Sequence, residues 1–229
     1  MKHKIKKMRL VILGTGIVTI LICLQSNTTI PPGYKGKPYK DSVYNRGPQI
    51  IPGTLECAYY DMGGEGVAYH DFESINKGSG ELNKLPDHQR PQATAYHWDF
   101  RKNEAVDISY TKDFADYNHT DNYFTPPLNQ LYIGWTEDNE WVNYTVNVIR
   151  PGKYKIVALY GNEANTIKFS INNKPVSVCR LPLATGNWHK WNKAEIGTIT
   201  FSEAGIQLLT FFYNNGNNFA SFDFILMPD

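Results

Sequence analysis

The sequence is short of cysteine, of excess charge and of long apolar runs, and each shortage removes a class of protein. Only three of its 229 residues are cysteine, Cys23, Cys57 and Cys179, and no Cys or His spacing suggests a zinc site. With 23 Lys and Arg against 22 Asp and Glu there is no basic surplus of the kind that holds nucleic acid. The one extended apolar run, Leu10 to Leu24, is too short for a comfortable membrane span. No stretch holds an amphipathic helical pattern of useful length. The carboxylates Glu56, Glu65, Asp71, Glu81, Asp107, Glu137, Asp138 and Glu140 are scattered, so no strand offers the paired acids of a glycosidase. His70-Asp71 and His97 come without a nucleophile elbow. A catalytic reading therefore has no local signature.

What is present begins with an export signal. Residues 1–26 join a Lys/Arg-rich start to the apolar run, the pattern of a secretory signal peptide. Cys23 offers a lipoprotein alternative, although Ile22 before it is a poor fit. The segment carries five basic residues and no acid, so its removal takes the net charge from +1 to −4. A secreted, periplasmic or cell-surface location follows. Outside the cytoplasm Cys57 and Cys179 are free to form a disulfide, or to serve as two small buried apolar residues. Residues 27–50 are rich in Pro, Gly and Lys without periodicity and read as a linker or a loosely attached arm.

From Ile51 onward the chain is written in short strands. In EWVNYTVNVI (140–149), Val142, Tyr144, Val146 and Val148 alternate with polar neighbours at a period of two. Pro151-Gly152 then suggests a hairpin turn into KYKIVALY (153–160). Some ten such runs, with aromatics at 14% of the chain, predict an all-β domain over 51–229. Its expected form is a sandwich of two antiparallel sheets, of jelly-roll type. Two long excursions, near 82–99 and 112–129, interrupt the strands.

TGNWHKW (185–191) places two of the five tryptophans in a turn without an apolar stripe. Sugars present apolar C–H faces and polar rims, so an open flat aromatic beside an amide suits them. Trp188, next to Asn187, is expected to be exposed, and Trp191 to anchor the loop at the start of the next strand.

With this loop in place, IPGTLECAYYD (51–61), GGEGVAYHD (63–71), FRKNEAVDI (100–108), LYIGWTEDNEWVNYTVNV (131–148) and FASFDFI (219–225) together resemble family 6 carbohydrate-binding modules. The resemblance implies a jelly roll that binds polysaccharide or oligosaccharide without catalysis, between two loop aromatics. It assigns these to Trp188 and, through the family's Tyr-Arg segment, to Phe100. Hydrogen bonds would come from Asn187, from Ser221 in place of the family's Asn, or from Asn217 or Asn218 instead of that shorter serine. It also implies a structural calcium on Glu56 and Asp223, weakened because the family's second acid is here Ala58. Separately encoded glycoside hydrolases are the expected working partners. Tyr96, Trp98, Tyr117, Tyr123 and Phe124 in the excursions would extend the groove or cover a sheet edge. The competing readings are a small jelly-roll glycoside hydrolase and an envelope adhesion module.

Overall fold

The computed structural model describes residues 30–78, 94–112 and 121–228. The expected signal segment, residues 1–26 with Cys23, together with Tyr117 and most of the 82–99 excursion, lies outside the described residues.

Two sheets face one another. The first runs β1 (Gln49–Ile51), β6 (Trp141–Val148), β11 (Gly205–Phe212), β8 (Thr166–Ile171), β9 (Lys174–Arg180), with β3 (Tyr69–His70) also on β6. The second runs β10 (Trp191–Phe201), β7 (Gly152–Asn162), β12 (Asn217–Leu226), β5 (Leu131–Ile133), β4 (Ile108–Tyr110), with β2 (Gly53–Glu56) also on β12. Pairing is antiparallel except for β1 on β6. This is the expected all-β jelly-roll sandwich.

The period-two pattern of β6 and β7 sends Val142, Tyr144, Val146, Val148, Tyr154, Ile156 and Tyr160 into one shared core. Phe211 lies near its middle, with ring centroids 4.8 Å from Phe222 and 5.4 Å from Phe169. The expected hairpin across Pro151-Gly152 is not formed. β6 belongs to one sheet and β7 to the other, so this turn is an arch between them. Alternation makes both strands face the same core; it does not say whether they pair or oppose one another.

The 27–50 segment is no loose linker over its described part. Tyr39 sits in the core, the Tyr34 hydroxyl donates to Asp61 at 2.6 Å, and residues 49–51 form β1 on β6. Cys57 and Cys179 are both buried as free thiols, and burial pushes both thiols up from their ordinary range.

Candidate functional site

At the end of the second sheet where β5 and β7 finish and β10 and β12 begin, the connecting loops enclose a cleft of about 250 Å³. Tyr132, Trp135, Trp188, His189 and Asn218 line it. Trp188 is 43% exposed and Trp135 36%, whereas Trp191, three residues after Trp188, is 1% exposed. Large aromatics left in water around a concave surface are the usual sign of a ligand platform.

Each wall is locally determined. On the Trp188 side, Gly186 takes φ 75° and Thr185 fixes the loop to β7, its Oγ1 accepting the Asn162 N–H at 2.7 Å. The Asn187 Oδ1 accepts the His189 N–H at 2.8 Å, which closes an Asx turn and throws the indole outward. The loop lies directly on Gly161, where a Cβ would come within 2.8 Å of the Trp188 carbonyl oxygen. Trp191 is the anchor: its ring meets Tyr132 edge-on at 5.2 Å, above Leu159 and Ala220. Its N–H donates to Asn122 Oδ1 at 2.7 Å, and its carbonyl accepts from the Tyr123 and Phe124 N–H groups at 3.0 Å. Residues 121–124 of the second excursion thus brace the loop from outside, with Lys190 paired to Asp121.

Trp135, outside the expected binding residues, forms the opposite wall. Trp135 has φ 49°, a left-handed conformation that is costly for a bulky side chain. Strain of this kind persists where the surroundings impose it. The Gly134 N–H donates to the Asp107 carbonyl at 2.9 Å, and the Thr136 hydroxyl accepts the Asn217 N–H at 2.9 Å. Between the walls, Asn218 is almost wholly buried and donates through Nδ2 to the Trp188 carbonyl at 2.7 Å. Its Oδ1 faces Gly134, where a Cβ would approach to 2.8 Å. The sequence signal for this wall is Trp135 directly after Gly134, where the other loop has Trp188 two residues after Gly186.

Of the expected binding residues, the structure brings Trp188 and Asn218 together in the cleft. Asn187 neighbours it but spends its amide oxygen on the loop's own turn. Phe100 and Ser221 are corrections. Phe100 is 4% exposed and packs against Tyr39, Tyr59 and Tyr96, with centroids 5.5, 5.7 and 5.2 Å away. The adjoining Arg101 is a structural pivot: it ion-pairs with Glu104 at 2.8 Å, donates to the Asp61 carbonyl and lies 3.4 Å from the Tyr60 ring centroid. Ser221 lies beyond a bulge in β12, opposite Glu56 of β2 and Leu159 of β7, and is buried on the sheet face. The bulge, invisible to residue counting, separates it from Asn218.

Glu56 and Asp223 do share a sheet face, on adjoining strands. Three of their four oxygens are engaged: Asp223 Oδ2 pairs with Lys193 Nζ at 2.8 Å, Asp223 Oδ1 accepts from Thr54 at 2.7 Å, and Glu56 Oε2 accepts from Gln130 at 3.0 Å. Ala58 adds no carboxylate, and among the described residues no three His, Cys, Asp or Glu are grouped to hold a metal. Calcium asks for six to eight oxygen ligands, several of them anionic, so this donor set with an ammonium in it does not fit the ion.

A wider hollow of about 650 Å³ lies on the outer face of the first sheet, among Trp141, Lys168, Val178 and Phe212. Asn143 and Asn173 bring amides to it, but Trp141 is the one indole lining it, so it lacks the paired exposed indoles of the cleft.

Comparison with known proteins bears on the same region. Residues 125–225 match the family model described as carbohydrate binding module (family 35), a span that contains Trp135, Trp188 and Asn218 and omits Phe100 and Glu56. No curated protein matches the sequence. Among solved structures, the family 6 module CsCBM6-3 of Clostridium stercorarium, in complex with cellobiose, is 13% identical, covering 80% of this chain and 99% of its own with a TM-score of 0.47. A β-1,3-glucan binding family 6 module of Bacillus halodurans is 13% identical, covering 77% and 98% with a TM-score of 0.44. Over residues 125–225, the part that builds both walls of the cleft, the chain is similar to carbohydrate-binding modules.

Proposed function

We propose that this chain is a non-catalytic glycan-binding module whose cleft takes a sugar ring between Trp135 and Trp188. The observation that carries the reading is the pair of exposed indoles flanking one small cleft with the Asn218 amide at its base. An indole face meets the apolar C–H face of a pyranose, while Asn218 and His189 supply polar partners for its hydroxyl rim. None of the five lining residues is a carboxylate, which favours binding over glycosidic cleavage at this cleft. The volume suits about one ring, so recognition centres on a single residue of the polysaccharide.

The chain then works as an exported anchor on glycan, beside separately encoded glycoside hydrolases. Affinity gel electrophoresis over a polysaccharide panel tests the binding step. Trp188→Ala should lose retention on the ligand polysaccharide while keeping the parent's far-UV circular dichroism and melting midpoint. Unchanged retention would refute the assignment. Sugar release from the same panel, if it vanished with a single carboxylate substitution, would favour the hydrolase reading instead.

A further inference from the structure

We infer that Lys193 is a built-in substitute for a bound cation: its tethered ammonium balances Glu56 and Asp223, and the folded chain needs no calcium. The inference starts from strand register. Lys193 pairs with Leu159, Leu159 with Ser221, and Ser221 with Glu56, so these four residues form one row across β10, β7, β12 and β2. Two residues along, Glu195, Val157, Asp223 and Thr54 form the next row on the same face, and Glu195 has its own cation, Lys155, at 3.7 Å. Two carboxylates on neighbouring strands of one face repel each other and call for a positive charge between them. Burial, with the Asp223 charge adding to it, raises the Glu56 carboxyl from its ordinary range, and Lys193 acts in the opposite direction.

The lysine is held as a fixed part of this face. Its ammonium lies 2.8 Å from Asp223 Oδ2 and 5.2 Å from the Phe124 ring centroid, a cation–π distance. Its side chain is 31% exposed and that of Asp223 is 20% exposed, so the pair is partly shielded from solvent. The second excursion completes the arrangement, Phe124 roofing the ammonium and Gln130, just beyond it, donating to Glu56. A divalent ion entering here would have to expel a lysine that already satisfies Asp223. Removing that lysine leaves two acids as diagonal neighbours on one face without their shared cation, which is the condition under which calcium becomes useful.

Thermal unfolding of the full chain, in excess chelator and in millimolar calcium, provides the test. The parent should melt at the same midpoint in both. A chelator-induced drop restored by calcium would overturn the inference without any variant. Lys193→Gln should melt about 2–4 °C lower, the shift that a loss near 1 kcal/mol produces in a chain of this size. Calcium should raise the midpoint of Lys193→Gln, and Lys193→Arg should keep the parent's midpoint and indifference. A glutamine variant that melts with the parent overturns the inference, and so does one lowered equally in both buffers.

Discussion

Two aromatic clusters in this molecule are built from the same kinds of residue and behave oppositely. Around Phe100, the rings of Tyr39, Tyr44, Tyr59 and Tyr96 close on one another, with Tyr44 and Tyr59 stacked at 4.4 Å. Around the cleft, Trp135 and Trp188 stand open above Tyr132 and Trp191. The difference lies in what covers each cluster. The 30–50 arm supplies Tyr39 and Tyr44, and the short helix α1 (Ala95–Trp98) supplies Tyr96, so this chain spends the first cluster on packing. At the cleft the second excursion passes outside the loop: it ties down Trp191 and leaves Trp188 free. An aromatic residue's role is thus set by which segment arrives to cover it.

Three substitutions separate the clusters. Phe100→Ala should cost about 3–5 kcal/mol of stability, as expected for a fully buried ring, with glycan retention preserved below the lowered midpoint. Chemical denaturation with parallel affinity electrophoresis reads both quantities, and a loss of binding at full stability would restore Phe100 to the site. Trp135→Ala should weaken binding by about 2 kcal/mol, roughly 30-fold, in the manner of an interface tryptophan. It should leave the fold stable, since the ring removed is an exposed one and alanine, which keeps the Cβ, leaves the backbone constraint at φ 49° as it is. Titration calorimetry on the retained oligosaccharide measures it, and parent-like affinity would mean that Trp188 acts alone. Gly134→Ala should have a smaller effect, a loss of severalfold in affinity. Its methyl would press on the Asn218 Oδ1 and, through the Asn218 bond, on the Trp188 carbonyl. Affinity unchanged by that methyl would show that Asn218 does not link the two walls.

The sandwich was legible because alternation is a local property: Val142 to Val148 announce one buried face whatever their partners turn out to be. Trp188 and Trp191 were separable for the same kind of reason, one lying in a turn and the other opening a strand. What failed was inference across the chain. Whether β6 pairs with β7 or opposes it depends on the whole sheet order. Phe100 matched a motif position, yet its exposure depends on Tyr39, some sixty residues earlier in a segment that looked like a linker. Ser221 stands two residues before Asp223, in the family's position, but that count stops short of the bulge between Phe219 and Ser221 and of the strand end where Asn218 lies. Trp135 closes the strand-like run LYIGW (131–135), which hides it from sequence, whereas β5 ends at Ile133 and leaves Gly134-Trp135 in the loop.

The smallest effect concerns the underside of the Trp135 wall. Asp107 holds that wall through its backbone carbonyl, bonded to the Gly134 N–H, while its side chain accepts the Lys77 N–H. Burial, helped by the nearby Asp71 charge and opposed by the Lys77 N–H bond, raises the Asp107 carboxyl from 3.8 to about 7. The folded chain therefore keeps a proton there that the unfolded chain releases near its ordinary value. Stability contributed by this group is present below about pH 4, falls as pH rises toward 7, and is level above that. Asp107→Asn keeps an oxygen for the Lys77 N–H and removes the ionisation. The variant should match the parent near pH 4 and melt slightly higher at pH 7 and above, with glycan affinity unchanged because the Gly134 bond is made by the main chain. A melting curve series from pH 4 to 8 measures this. Parallel parent and variant profiles would place the Asp107 carboxyl in the ordinary range, whereas a loss of affinity would show that the side chain, and not only the backbone, positions Trp135.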